Sequence, residues 1–294
     1  MSVGSGGSGA PFGPIGVMRS WLKPRPGSDG QRRRRGSLVA WVILLIGVAY
    51  FIVPLVATLE FSLRPKPTTL AYSNVLKDVK FGSSLLYSFT IGIITIIVSL
   101  AIIVPTAFWV RLKVPRLRPF VEFVTLMPFI IPAVILVFGI IRVYSAKPFV
   151  FTRTELGSDA LLVAAYVVLS FPYMYRAVDT GLAAIDVRSL TEAAQSLGAG
   201  WPRIILRIIL PNLRTALLSG SFLTLAIVVG EYTIASFLAR NNQFGVYLSL
   251  LGQNKAFEPA AVSLISFGLT WLAMIVIALI GRGTRGRVTV VGAR

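Results

Sequence analysis

The 294-residue chain contains no cysteine and no histidine, and only 11 of its residues are Asp or Glu. The absence of thiolates and imidazoles excludes the commonest zinc sites, cysteine nucleophiles and histidine general bases. It also excludes disulfides, so cysteine usage says nothing about the redox compartment. With no paired acidic motif either, we predict neither a catalytic residue nor a metal site in this chain.

Charge of both signs is scarce for a chain of this length. Charged residues make up 14% of the sequence and apolar residues 55%, whereas a soluble domain has about 25% charged residues. The net charge of +18 would suit a nucleic-acid-binding surface. Here, however, the basic residues lie in short clusters between long apolar runs. We therefore predict a lipid membrane as the partner and no nucleic acid.

Six intervals without charged residues divide the chain, and each is predicted to be a membrane-spanning helix. Such a helix needs about 20 apolar residues. The fourth and fifth intervals are short, so the fourth requires Arg176 to reach the interface and the fifth extends to residue 239 only if Glu231 is tolerated. The predicted fold class is all-α, a polytopic membrane protein with six transmembrane helices. The intervals are Gly36–Leu59, Phe81–Val110, Phe123–Ile141, Ala160–Tyr175, Thr215–Gly230 and Pro259–Gly281.

The regions outside these intervals set the domain limits and the orientation. Residues 1–36 are rich in Gly, Ser, Pro and Arg, a composition that predicts a disordered basic tail. Residues 37–282 form the predicted transmembrane domain, and residues 283–294 a short C-terminal tail. Of the 29 Lys and Arg residues, 20 lie in the two tails and in the segments after the second and fourth intervals. The positive-inside rule therefore places both termini in the cytoplasm.

The segment 176–214, after the fourth interval, is amphipathic and has signals for two helices. Ser189 and Glu192 match a capping box, which predicts a short helix from there, and Gly198 is a natural C-terminal stop. A second helix is predicted to open at Trp201-Pro202 and to end near Pro211 at the membrane edge. The residues alone leave two interpretations open: a rigid projection that acts on a partner, or an interfacial helix that rests on lipid.

The same segment contains the pattern E-A-A-x3-G-x9-I-x-L-P, with Ile208 and Leu210-Pro211 at its end. This pattern resembles the EAA loop of binding-protein-dependent ABC importer permeases, and every fixed position matches. The resemblance implies a type I importer-like fold in which the short helix is a coupling helix that docks on an ATPase subunit. The implied ATPase-coupling residues are Ser189, Glu192, Ala193, Ala194, Leu197 and Gly198.

The resemblance also implies the partners and the location of the chain. These are ABC ATPase subunits, a second and different permease subunit, and an extracytoplasmic solute-binding protein, in a bacterial inner membrane. No lysine in the chain follows a glycine, so the phosphate-binding motif G-x4-G-K-[ST] is absent. ATP and magnesium would accordingly be bound by the partner ATPase, and this chain is expected to be a transport subunit, not an enzyme, with no cofactor of its own.

The stretch 230–237 resembles the corresponding region of spermidine/putrescine-type permeases, which implies a polyamine-like or related small polar solute. Glu231 is the acidic residue nearest a predicted membrane interior, where a charge costs about 2.5–3.5 kcal/mol. Two interpretations stay open: Glu231 and Tyr232 line the solute pathway, with a carboxylate and an aromatic face for an amine, or Glu231 is hydrated at the outer interface. On the first, Glu231→Gln is expected to lower transport without dissociating the complex.

An ion-gradient-driven secondary transporter is the alternative function. That class would need intramembrane carboxylates and inverted repeats, and the sequence offers one carboxylate and no convincing repeat. Two helical pairs, Arg118 with Glu122 and Arg176 with Asp179, are predicted to be interfacial ion pairs.

Overall fold

A computed structural model describes residues 29–148, 150–238 and 240–282 of the chain, and within these the secondary structure is helical, without strands. The all-α prediction is confirmed. The chain forms two compact units, residues 1–57 and 58–294. The helices are α1 (Asp29–Ser62), α2 (Leu70–Lys77), α3 (Val79–Leu112), α4 (Arg118–Ile130), α5 (Ala133–Tyr144), α6 (Glu155–Ala183), α7 (Val187–Ser196), α8 (Trp201–Ile204), α9 (Leu210–Gly230), α10 (Thr233–Phe237), α11 (Phe244–Asn254) and α12 (Glu258–Arg282).

The predicted tails lie mostly outside the described residues, which begin at residue 29 and end at residue 282. The final part of the predicted N-terminal tail, residues 29–36, belongs to the first turns of α1. Glutamine and arginine are good helix formers, so the four arginines before the apolar run continue the helix. The described part of the first unit is the larger part of α1.

Four stretches of the described chain are long and apolar enough to cross a membrane, and each overlaps one predicted interval. They are Val39–Ser62, Val79–Leu112, Glu155–Ala183 and Trp201–Gly230. The sixth interval is also helical, within the 25 residues of α12. A multi-pass membrane protein is thus confirmed, while the count of six spans stays a prediction.

The third predicted interval, Phe123–Ile141, is not one straight helix. Helices α4 and α5 are bent by 97°, and the break lies at Ile131, whose backbone is extended at φ −88° and ψ 115°. The following residue is Pro132, and a proline disfavours helical backbone in the residue that precedes it. The apolar run predicted a span, and its proline turns that run into two short helices.

The helix that contains the fifth interval begins earlier than predicted and ends where the interval ends, at Gly230. The chain is helical from Trp201 to Gly230, so the expected boundary at Pro211 is wrong. A π-helical segment, Ile205–Ile209, precedes that proline. Because proline cannot donate a backbone hydrogen bond and its ring crowds the preceding turn, the wider π turn accommodates it within the helix. The conditional extension to residue 239 does not form, since α9 ends at Gly230 with Glu231 as its C-cap residue.

Helices α3, α6 and α9 pack together and form the centre of the second unit. Two glycines permit the close approach of α6 and α9. A Cβ atom added at Gly220 would lie 2.9 Å from the Met174 sulfur, and one at Gly181 would lie 2.7 Å from the Ala216 Cβ atom. Small residues allow helices to pack closely where lipid provides no hydrophobic drive between them.

Side-chain contacts define two opposite ends of this bundle. At the first, called the Trp201 end, the Trp201 ring lies 4.7 Å from that of Trp109, and the Lys113 ammonium lies 5.5 Å from the centre of the Trp201 ring. At the second, called the Arg240 end, Arg240 and Asp159 form an ion pair at 2.7 Å. Helix α7 follows α6 at the Trp201 end.

Candidate functional site

Helix α7 begins two residues before the predicted capping box. Its N-cap is Asp186, whose Oδ1 accepts a hydrogen bond from the Ser189 amide at 3.1 Å. The Ser189 hydroxyl donates to Asp186 Oδ2 at 2.7 Å, while Glu192 accepts from Arg188 at 3.1 Å. The Ser189–Glu192 capping box is therefore wrong. Aspartate is a strong N-cap residue, and the Ser189 hydroxyl and amide hold the pKa of its carboxyl below the usual range.

The C-terminal end of α7 confirms the predicted stop at Gly198. Its φ of +77° is the left-handed conformation that glycine adopts without steric cost. The Gly198 amide donates to Gln195 O at 2.9 Å and the Ala199 amide donates to Ala194 O at 3.0 Å. These two bonds form a Schellman motif, which satisfies carbonyl groups that the helix end would leave free.

The two faces of α7 have different environments. Val187, Thr191 and Ala194 are buried, and Val187 and Ala194 belong to the same hydrophobic cluster as core residues of α3, α6 and α9. The opposite face is exposed, and Leu197 just after the helix is 87% exposed. Of the six predicted coupling residues, Ala194 packs inward and the other five are exposed: Ser189, Glu192, Ala193, Leu197 and Gly198.

The loop that carries α7 is fixed to the bundle at both sides. Before α7 the cluster includes Leu182 of α6, and after it includes Ile204 of α8. Trp201 packs between these elements, with its ring 6.1 Å from that of Phe108 on α3. The helix is therefore a rigid part of the bundle surface, and a force on its exposed face would reach the spanning helices directly.

A charged cluster at the Trp201 end differs from the predicted pairs. Arg118 does pair with Glu122, at 3.0 Å, as predicted. Asp179, however, pairs with Arg111 at 3.2 Å and with Arg118 at 2.8 Å, so its predicted pairing with Arg176 is wrong. Helical spacing favoured Arg176, but two arginines from α3 and α4 already occupy both carboxylate oxygens.

Glu231 lies at the break between α9 and α10. Its carboxylate accepts hydrogen bonds from the amides of Ile234, at 2.9 Å, and Ala235, at 3.3 Å. It also accepts from the Tyr166 hydroxyl of α6 at 3.0 Å. The residue thus caps α10, and three donors share its two oxygens. Tyr232 is the backbone N-cap residue of α10, but its side chain makes no capping hydrogen bond and the residue is 46% exposed. Whether Glu231 and Tyr232 line a pathway stays a prediction.

The segment after α10 is held to the Arg240 end by further polar contacts. Besides the ion pair with Asp159, the Arg240 Nε donates to the Tyr87 hydroxyl at 3.3 Å, and that hydroxyl donates to Asp159. The buried Gln243 side chain donates to the carbonyl of Val228. The backbone between α9 and α11 is therefore fixed by side chains of α3 and α6.

Sequence reasoning missed Asp186 and the Arg240–Asp159–Tyr87 cluster. Asp186 had a local signal, because Asp is as good an N-cap as Ser and lies directly before the helical pattern. The cluster had none, since its members are up to 153 positions apart and one sequence cannot show that they meet.

Comparison with solved structures finds a similar fold. The chain matches a subunit in the "Crystal structure of a bacterial ABC transporter involved in the import of the acidic polysaccharide alginate" with a TM-score of 0.66. The match covers 87% of this chain and 99% of that chain at 13% identity. At this identity the likeness concerns the fold alone.

The family follows from the sequence itself. Residues 103–286, more than half of the chain, match the model of the family described as "Binding-protein-dependent transport system inner membrane component". The chain belongs to this family. The matched region includes α6 and α9, which cross each other. It also includes the whole of α7 with its Schellman turn, and the break at Glu231.

Several curated relatives have permease names and different solutes. The "Probable ABC transporter permease protein y4fN" of Sinorhizobium fredii is 26% identical over 82% of this chain, which spans 45% of that relative's length. ModB of Escherichia coli, a "Molybdenum transport system permease protein", is 30% identical, and the match covers 44% of this chain and 58% of the length of ModB. PotB of Haemophilus influenzae, a "Spermidine/putrescine transport system permease protein", is 27% identical, and the match covers 66% of this chain and 71% of the length of PotB.

Proposed function

We propose that this chain is a permease subunit of an ATP-driven ABC importer, forming half of a solute pathway. The observation that carries the proposal is α7: a capped helix, rigidly packed on the spanning helices, whose other face is exposed. The family and the permease names of the relatives support it. The matched EAA pattern begins on this helix, includes its C-terminal turn and ends at Pro211 in the first turn of α9.

Coupling follows from the two faces of α7. An ATPase subunit that gripped the exposed face would contact Ser189, Glu192, Ala193 and Leu197, while Val187 and Ala194 connect the helix to the core. A closely packed interior transmits displacement with little compression. Movement of the ATPase would therefore tilt the helices around the α6–α9 crossing, and a solute gate would open or close.

The partners proposed with this function lie on both sides of the membrane. ATP and magnesium bind to the ATPase subunits, which meet α7 on the cytoplasmic side together with both chain termini. A second, different permease completes the pathway in the bacterial inner membrane, and a solute-binding protein delivers the solute from outside. Lys113 and four arginines at or near the Trp201 end, Arg111, Arg116, Arg118 and Arg188, support this orientation.

The solute in this proposal is small and polar, and its charge has to be decided from this chain's own residues, because the relatives differ in solute. A polyamine-like solute is supported by the resemblance of residues 230–237 and by the likeness to PotB. The carboxylate expected to bind the positive charge of such a solute was that of Glu231. That carboxylate accepts three hydrogen bonds from the protein, which leaves it poorly placed to bind an amine.

Co-purification and uptake together test the proposed function. The tagged chain is expressed with its neighbouring genes, extracted in mild detergent and analysed by mass spectrometry. We expect an ATPase, a second permease and a binding protein, and solute uptake that stops when ATP is depleted while the ion gradients are kept. Recovery of the chain alone, with uptake that follows an ion gradient, would replace the importer with the secondary transporter.

A further inference from the structure

A large cavity opens between α4, α6 and α9 near the Trp201 end. Its volume is about 820 Å³, which is ample for a small solute. The residues that line it recur at helical spacing on one face of α6 and one face of α9. Those used below are Arg176, Thr180, Thr215 and Ser219.

Arg176 is the charged residue of this cavity. No Asp or Glu lies among the lining residues, and the side chain of Arg176 is exposed. The ion pairs found in the described part of the chain do not include it, because Asp179, one turn away, is taken by Arg111 and Arg118. The cavity therefore has one positive charge without a carboxylate to neutralise it.

The two aspartates of α6 serve as reference points for the depth of Arg176 in the bundle. Asp159 and Asp179 are 20 residues apart, which is about 30 Å along a helix and equals the thickness of a bilayer core. Arg176 lies three residues, about 4.5 Å, inside the boundary that Asp179 marks. An arginine there faces water or a polar partner, since contact with lipid tails is costly.

Three hydroxyl groups line the cavity together with Arg176, among residues that are mostly apolar. Thr180, Thr215 and Ser219 are exposed, and none of their hydroxyls has a hydrogen-bond partner within the described residues. Hydroxyl donors that share a cavity with a guanidinium are suited to a carboxylate or another oxyanion. A cationic solute would meet the same guanidinium as a repulsive charge.

We propose that this cavity is a binding station for an anionic solute on its way through the membrane, with Arg176 as its counter-charge. The inference rests on the proposed importer function and specifies its substrate class. A solute held here would lie within one turn of the α6 terminus that leads into α7. Binding could then be sensed by the coupling helix, as an importer requires for release toward the cytoplasm.

The first test identifies the charge of the solute. The solute-binding protein that co-purifies with the chain is screened by thermal shift against sulfate, molybdate, phosphate and citrate, and against putrescine and spermidine. We expect stabilisation by an anion and none by the amines. Stabilisation by an amine alone would overturn the proposal and leave the importer function intact.

The second test measures uptake of the stabilising solute in proteoliposomes that contain the complete complex. Arg176→Gln is expected to raise the KM for transport about tenfold or more, the loss of one charge-assisted hydrogen bond. Arg176→Lys should keep most of the uptake, and the double variant Arg176→Gln/Thr180→Arg, which moves the charge one turn along the cavity, should recover part of it. The matched control is Arg116→Gln, an exposed arginine outside the cavity.

Anionic lipid headgroups share the chemistry of an anionic solute, so the vesicles are made of either phosphatidylcholine alone or phosphatidylcholine with phosphatidylglycerol. A tenfold effect of Arg176→Gln in both membranes supports a solute site. An effect that needs phosphatidylglycerol, or wild-type KM in Arg176→Gln with normal complex assembly, overturns it. Loss of ATP dependence in the wild-type complex would instead contradict the importer function, so the two failures are distinguishable.

Discussion

The helix ends at Gly198 and Gly230 interrupt the chain at opposite ends of the bundle and are stabilised in different ways. At Gly198 the backbone closes on itself through a Schellman motif, and a Cβ atom there would meet nothing within 4 Å. At Gly230 the following residue, Glu231, caps the next helix and accepts a hydrogen bond from Tyr166 of another helix. One turn depends only on local contacts, and the other depends on distant ones.

This difference indicates what each turn does. The turn at Gly198 leaves Leu197 and its neighbours exposed, as a docking surface requires. The turn at Glu231 is held by Tyr166 of α6, and the segment after α10 is held by the Arg240–Asp159–Tyr87 cluster, as a fixed part of the bundle requires. We therefore expect substitutions at the Glu231 turn to change the stability of the protein most, and substitutions at the Gly198 turn to change coupling most.

The largest expected effect on stability is that of Glu231→Ala. The substitution leaves three donors without their acceptor, and we expect the free energy of unfolding to fall by about 3 kcal/mol. Glu231→Gln keeps one acceptor oxygen and should cost about 1 kcal/mol. Unfolding of the purified protein in mixed micelles measures both, with Tyr232→Phe, which leaves the cap intact, as the control.

Two outcomes of the Glu231 experiment separate its possible roles. A Glu231→Gln protein that is nearly stable but transports poorly in an intact complex would support the predicted place in the pathway. Unchanged uptake by the Glu231→Gln complex would contradict that prediction and leave the capping of α10 as the role of Glu231. Wild-type stability of Glu231→Ala would contradict the cap.

The next effect concerns the ion pair of Arg240 with Asp159, whose side chains are 13% and 27% exposed. A double-mutant cycle with Arg240→Ala and Asp159→Ala is expected to give a coupling energy of about 1–2 kcal/mol. The pair of Arg64 with Glu60, 57% and 69% exposed, is the matched control and should give about 0.3–0.5 kcal/mol. Equal coupling energies in the two pairs would show that the ion pair of Arg240 with Asp159 does not stabilise the Arg240 end.

A comparable effect on stability is expected for Gly198→Ala. The new methyl group meets no atom, so the cost is that of a left-handed alanine, about 1–2 kcal/mol, with some loss of ATP-dependent uptake as the turn shifts. Gly200→Ala is the control, because Gly200 has a φ of −76° and its Cβ atom would be 4.0 Å from the nearest atom. If the two alanine variants unfold alike, the Schellman turn does not stabilise this loop.

The sequence was sufficient for features that depend on neighbouring residues. The charge-free intervals predicted every long helix, and Gly198 was recognised as a helix stop, because apolar runs and left-handed glycines are local signals. Pro132 and Pro211 were equally visible, yet one breaks a span and the other is absorbed by a π turn. Proline removes the same hydrogen bond in both places, and the surrounding packing decides the result.

Features that depend on distant residues could not be predicted in this way. The spacing of Arg176 and Asp179 favoured an ion pair, and the competition of Arg111 and Arg118 for the same carboxylate could not be read from it. The donors to Glu231 include Tyr166, 65 positions earlier. For α7 the resemblance named the expected coupling residues, and the structure added that Ala194 is on the buried face of this helix.

The most direct test of the account is a cross-link between α7 and the ATPase subunit. Since the chain has no cysteine, Leu197→Cys introduces a unique thiol on the exposed face, and Leu250→Cys, an exposed position on α11 at the Arg240 end, serves as the control. In the intact complex a short maleimide–benzophenone reagent, whose photoactivated ketone inserts into nearby C–H bonds and so needs no thiol on the ATPase, should join the ATPase to residue 197 and not to residue 250. A cross-link to residue 250, or none at residue 197 while the ATPase remains bound, would contradict the assignment of α7 as the coupling helix.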